Sequence, residues 1–236
     1  GVWQLKDWQD WFDNEDIGPI GFQFGTRPLL TKESEIPDSW KARLLELQKG
    51  DVYLNRFSPT GFYSSAVEND FIKELIGREQ RQVEYRTEQE GYYAEPYPLP
   101  PRGRKVYVNA DDMDRINRYI EDGYDTPMKT PDSTLIFVSK ERADQIVKDQ
   151  IECMGCLSHC QFSNWKDHDD FTTGKKADPR SYCIQKTLQD IVHGGSVDDN
   201  LMFAGHNAYK FAQDPFYENG NVPTVKELID RILTGH

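Results

Sequence analysis

The sequence predicts an α/β chain whose second half is a mixed, mostly helical extension around a four-cysteine site. Three observations carry this. Short apolar runs at 20–24, 51–55, 105–108 and 134–138 have strand character. The segments between several of them space their apolar residues as helices do. All four cysteines among the 236 residues fall late, as Cys153, Cys156, Cys160 and Cys183.

Taken in order, Trp8, Trp11 and Phe12 suit one face of a short helix that Gly18-Pro19 ends. Ile20 to Phe24 reads as a strand. Ser34 to Gln48 reads as a helix with Trp40, Leu44, Leu45 and Leu47 as apolar positions and Gly50 just past its end. A second strand at 51–55 runs into the turn Ser58-Pro59-Thr60-Gly61. Ser64 and Ser65 then start a helix through Phe71, Leu75 and Ile76. Residues 86–104 carry Pro96, Pro98, Pro100 and Pro101 and read as an irregular arm. Asp111 to Glu121 reads as a helix with Met113, Ile116, Tyr119 and Ile120 on one face. Thr134 to Val138 is the most strand-like run, and Ser139 caps the helix that leads into Cys153. Cys183 opens a helix stopped by Gly194-Gly195, and two more helices are expected near 207–213 and 224–233. The functional segments are then 1–50, 51–104 and 105–236.

A net charge of −12 speaks against a nucleic-acid groove or an anionic membrane surface as partner. The local basic run Arg102-Gly103-Arg104-Lys105 reads as a solvated loop. Mean hydropathy is −0.77, thin for a chain that buries its own core, and aromatic residues at 12% offset this in part. No stretch has the length of a membrane span and no secretory signal is visible, so clustered thiols point to a reducing cytoplasm.

The cysteines follow C-x2-C-x3-C with a fourth Cys after 22 residues. Four thiolates suit one inorganic centre, an iron–sulfur cluster or a zinc ion. Zinc sites favour two C-x2-C pairs and the second pair is missing, so a [4Fe–4S] cluster is preferred and zinc is the alternative. Structural thiols or disulfides are the third reading. His159, inside the cluster, is a candidate ligand or a donor to a cluster sulfur, or an exposed loop residue. His168 stands among Asp167, Asp169 and Asp170, where a solvated acidic loop is preferred to a metal site.

Gly25-Thr26, after the run 20–24, forms either a tight turn or a place where backbone N–H groups and a hydroxyl hold a phosphate. Arg56, Tyr63, Ser64 and Ser65 flank the 58–61 turn, as a substrate mouth or as a packed turn.

The stretch Phe22-Gln23-Phe24-Gly25-Thr26-Arg27-Pro28-Leu29-Leu30-Thr31-Lys32-Glu33-Ser34 resembles the last barrel strand and following loop of the nitronate monooxygenase (2-nitropropane dioxygenase-like) family. The resemblance implies the C-terminal end of an FMN-binding (β/α)8 barrel, with Gly25 and Thr26 at the FMN phosphate. It also implies Gly1 as the last glycine of a preceding phosphate motif. Phe203-Ala204-Gly205-His206-Asn207-Ala208 is similar to a segment near the end of such barrels, which adds Gly205 and His206 to the cofactor-binding set. The likeness continues through 55–65 and the cysteine segment, as in long members with a cysteine-bearing C-terminal extension. It implies a flavin-dependent oxidoreductase or monooxygenase acting on a nitronate-like or other activated carbon acid, and an electron-transfer partner. The other barrel strands and the family's base His would lie upstream of Gly1, so an upstream segment or second chain completes the barrel. No catalytic residue is assigned within this chain. The competing reading is a non-catalytic, zinc- or cluster-stabilised module that docks on a flavoprotein.

Overall fold

The computed structural model describes residues 3–157, 159–163 and 177–235. Gly1 and His168 lie outside the described residues, so their expected roles are not placed. In chain order the elements are α1 (Gln9–Phe12), α2 (Asp38–Glu46), β1 (Val52–Asn55), β2 (Ser64–Val67), α3 (Asp70–Gln80), β3 (Gln82–Glu84), β4 (Glu95–Leu99) and β5 (Arg104–Val108). They continue with α4 (Ala110–Glu121), β6 (Thr126–Lys129), β7 (Thr134–Val138), α5 (Lys140–Ile151), α6 (Ile184–Val192) and α7 (Val225–Thr234). Short 3-10 turns occur at Leu5–Trp8, Arg27–Leu29, Ala208–Gln213 and Pro215–Gly220. The fold is mixed α/β with small sheets, and the described residues form no closed barrel.

The chain divides into two compact units. The first comprises Gly1–Asn55, Ser64–Phe71 and Leu188–His236, and the second Arg56–Tyr63 and Ile72–Thr187. The sequence segments 1–50, 51–104 and 105–236 cut across these units.

In the first unit, β1 and β2 form an antiparallel pair with Val52 opposite Val67. Its core gathers Leu30, Trp40, Leu44, Leu47, Met202 and Phe211. The 20–24 run is not a strand. It exchanges no ladder with a neighbour among the described residues, and Phe22 instead packs edge-on against Trp8 and Phe12. Ser64–Val67 is a strand rather than the start of a helix, because pairing with β1 outweighs the capping tendency of its serines. The helix begins later, at Asp70. α7 starts as its sequence suggests. The Thr224 hydroxyl accepts the Glu227 N–H while the Glu227 carboxylate accepts the Thr224 N–H.

The second unit is built on a three-stranded antiparallel sheet in the order β3-β7-β6. All five residues of β7 are buried. Leu135 and Phe137 face a core with Val83, Tyr97, Val106 and Ile116, while Ile136 and Val138 pack on Ala143 of α5 and on Met128. The proline-rich stretch is not irregular throughout, since β4 pairs with β5. Tyr107 exchanges both backbone hydrogen bonds with Arg86, at 2.8 Å each, so its amide and carbonyl face away from β4. Pro96 lies opposite Tyr107, and Pro98 two residues on repeats the geometry. Both prolines therefore occupy positions whose missing N–H has no ladder partner to lose.

Phe137→Ala is expected to cost about 3–5 kcal/mol through lost burial and the cavity left behind. Hydrogen exchange of the β7 amides measures it, and a cost below about 1 kcal/mol would contradict this placement of the core.

Candidate functional site

The candidate residues fall in two places, one in each unit. In the first unit, residues 23–27 and 205–208, with Trp3 and Phe211, enclose a cavity of about 360 Å³. Gly25, Thr26, Gly205 and His206 all line it, so four of the five expected cofactor-binding residues meet at one place. The Gly205 N–H donates to Thr26 Oγ1 at 2.8 Å, joining two segments 179 positions apart. That leaves the Thr26 hydroxyl hydrogen with no acceptor among the described residues. A Cβ built on Gly25 would meet nothing within 4 Å, and one on Gly205 would meet only Thr26 Oγ1, at 3.4 Å. The backbone is therefore bare where a ligand group would approach.

Arg27, the residue after the Gly-Thr pair, was not singled out by the sequence as a site residue. It is buried, its guanidinium lies 4.9 Å from the centre of the Trp3 ring, and it donates to Trp3 O and Tyr217 Oη at 2.6 and 3.1 Å. Asp214 lies 3.8 Å from its second terminal nitrogen. Its adjacency to Gly25-Thr26 was the available signal. Burial pushes the Tyr217 hydroxyl pKa up, against the opposing pull of Arg27. Arg27 thus fixes the cavity wall and brings positive charge to it. Volume, bare backbone, an available hydroxyl and a nearby cation together fit the phosphate end of a cofactor.

In the second unit α5 delivers the chain into the cysteine loop. Ser139 caps the helix by accepting the Arg142 N–H, and Ile146 packs with Cys160 and Phe162, against which Leu157 and Cys183 also lie. Cys160 is buried, Cys153 and Cys183 are half-buried and Cys156 is exposed. Burial pushes the Cys160 thiol up, backbone N–H groups of Ser163 and Phe162 pull it down, and the neighbouring Cys153 and Cys156 push it up again. Cys183 is likewise raised, first by burial and also by Cys156. Cys160 thus has Cys153 and Cys156 as electrostatic neighbours, and Cys183 has Cys156. His159 is exposed.

Among the described residues no three His, Cys, Asp or Glu side chains converge to hold a single metal ion. Tetrahedral zinc draws its sulfurs to roughly 3.8 Å from one another. An iron–sulfur cluster takes the same four thiolates at wider spacing. The all-thiol donor set is of a kind that both groups take, but the four side chains do not meet as a ligand set in this structure.

Residues remote in sequence hold this loop. The Gln161 N–H donates to Pro59 O and the Asp178 N–H to Gln161 O, each at 2.8 Å. The Ser181 hydroxyl donates to Phe57 O at 2.6 Å. Gly61 closes its turn at a φ of +77°, and a Cβ there would lie 2.5 Å from Gln161 Nε2. The 58–61 turn therefore buttresses the flank of Cys160, and Arg56 stacks over Tyr63, 5.0 Å from the ring centre. Ser64 and Ser65 belong to β2. The buried Arg78 donates to Pro179 O at 3.1 Å and to Glu74 at 3.1 Å. Arg180 grips Asp178 and also reaches Asp132 at 2.9 Å and Gln82 at 3.2 Å. These contacts fix the approach to Cys183.

Burial opposes ionisation of Asp132, but hydrogen bonds from Thr130, Arg180 and Thr134, with the Arg180 charge, outweigh it and hold the carboxyl below its ordinary range. A depressed folded pKa stabilises the fold above the unfolded pKa, and that gain is lost as pH falls through the folded value. Asp132→Asn is expected to cost at most about 1 kcal/mol at neutral pH, because the carboxylate is half exposed. Urea unfolding at about pH 7 and about pH 3 checks this. The gap should close in acid, and an unchanged gap would assign the effect elsewhere.

Comparison of the chain with protein-family models, curated proteins and solved structures finds no match.

Proposed function

We propose that this chain is part of an FMN-dependent oxidoreductase, contributing the flavin phosphate loop and an iron–sulfur centre. The observation that carries the reading is the Gly205 N–H to Thr26 Oγ1 bond. It brings two segments to one cavity, one resembling the FMN phosphate loop and the other a segment near the end of nitronate monooxygenase-like barrels. On this reading the chain forms the closing end of a (β/α)8 barrel, completed by an upstream segment or a second chain.

Thr26 accepts from Gly205 and turns its own O–H toward a phosphate oxygen. Gly25 lets that phosphate approach the backbone. Arg27, locked by Trp3, Tyr217 and Asp214, supplies charge without moving. Cys153, Cys156, Cys160 and Cys183 would hold the cluster, with Gln161 and Ser181 bracing the segments that carry Cys160 and Cys183. A bound flavin would accept two electrons from an activated carbon acid, and the cluster would exchange one electron at a time.

Protein isolated anaerobically in its natural assembly is expected to contain FMN, iron and sulfide and to absorb broadly in the brown. Thr26→Ala should weaken FMN binding about tenfold, for a lost hydrogen bond to a charged group, and leave riboflavin binding unchanged. Equal losses for both would remove the phosphate contact. Stoichiometric zinc without iron would overturn the cluster and favour a metal-stabilised module docked on a flavoprotein.

A further inference from the structure

Arg231, on α7, has no part in either site, yet one carboxylate links it to the wall of the first unit's cavity. Its Nη2 lies 3.8 Å from Asp214 Oδ1. Arg27, which lines the cavity, places its own Nη2 3.8 Å from Asp214 Oδ2. One negative charge is therefore divided between two guanidinium groups. Water screens these charges weakly, since the side chains of Arg27, Asp214 and Arg231 are 5%, 13% and 24% exposed. Tyr217, which accepts from Arg27, stays a neutral phenol because burial raises its pKa.

A cation at this position is costly to the fold. Arg231 Nη1 donates to Gly235 O at 3.3 Å, and the guanidinium stands 5.6 Å from the centre of the Phe216 ring. Its buried Nε finds no hydrogen-bond partner among the described residues. A buried donor left without an acceptor costs about 1–3 kcal/mol. A neutral side chain of similar length would cover Phe216 without that cost. Packing therefore does not account for an arginine here, whereas the charge it places on Asp214 does.

We infer that Arg231 is a positioning residue for the phosphate end of the cavity, drawing on Asp214 so that more of the Arg27 charge faces an incoming phosphate. The inference rests on the proposed FMN reading and names what sets the affinity of its phosphate site. Asp214 acts with the opposite sign. It steadies Arg27 against the wall, and its own charge opposes an anion on the far side of that guanidinium. Preference for a phosphorylated ligand is then a balance between Arg231 and Asp214, neither of which lines the cavity. What counts at position 231 is the charge, more than the planar shape that carries it.

The test measures calorimetric binding of FMN and of riboflavin to the protein in its natural assembly, after its flavin is removed. Arg231→Gln should raise the FMN Kd about three- to tenfold and leave riboflavin binding unchanged. Arg231→Lys, which keeps the charge, should bind FMN within about twofold of the unsubstituted protein. Asp214→Asn should lower the FMN Kd, and its amide oxygen can still accept the Phe216 N–H that the carboxylate accepts at 3.0 Å. A purely structural role for Arg231 would instead weaken both ligands alike. Three results would overturn the inference: unchanged FMN binding by Arg231→Gln, weaker FMN binding by Asp214→Asn as well as by Arg231→Gln, or loss of riboflavin binding in step with FMN in Arg231→Gln. Each of these leaves the phosphate site standing as long as the unsubstituted protein prefers FMN to riboflavin. Equal binding of the two ligands by the unsubstituted protein removes the phosphate site and this inference with it.

Discussion

A strand buried along its whole length needs cover on both faces, and β7 imposes that need on the second unit. Leu135 and Phe137 are closed over by Val83, Tyr97, Val106 and Ile116. Ile136 and Val138 need a helix on the other side, and the next one in the chain, α5, supplies Ala143. Once α5 lies there, its C-terminal end fixes where the cysteine loop begins. Hydrophobic burial of about 25 cal/mol per Å² thus sets the starting point of a site whose own chemistry is polar.

The loop itself is held mainly by hydrogen bonds. Gln161, Asp178 and Ser181 are bonded through backbone groups to each other's segments or to 57–59. Two arginines cross-brace the approach to Cys183. Burial lowers the pKa of Arg78 while Glu74 opposes this, and Arg180 is raised on balance by Asp178 and Asp132. Breaking a buried ion pair costs more than forming it gains, so Arg78 and Arg180 hold residues 178–181 in place ahead of Cys183. A cavity and a cysteine loop, each anchored in its own unit, are thereby built by different physics.

Sequence reasoning succeeded where the determinant is local. Ser139 caps α5, because a cap needs only the next three residues, and α7 lies where its apolar spacing put a helix. Thr134–Val138 is a strand because β-branched and aromatic residues leave little alternative. It failed where a distant partner decides. Ser64–Val67 became a strand through β1, and Glu95–Leu99 did so through β5 despite two prolines. The Gly25-Thr26 and Gly205-His206 segments were each legible as site candidates. Their meeting was not, since a hydrogen bond across 179 positions leaves no periodicity. Arg27, Arg78 and Arg180 were invisible for the same reason, since only the fold shows which charges are buried.

The prolines of β4 have one more consequence. Its inner edge is occupied by β5, and on its outer edge the amide positions fall at Pro96 and Pro98. That margin has no N–H groups to offer. A passing strand would find acceptors but no donors there and could not complete a ladder. This edge of the sheet is thus without donors, a safeguard against self-templating written into the backbone rather than the side chains.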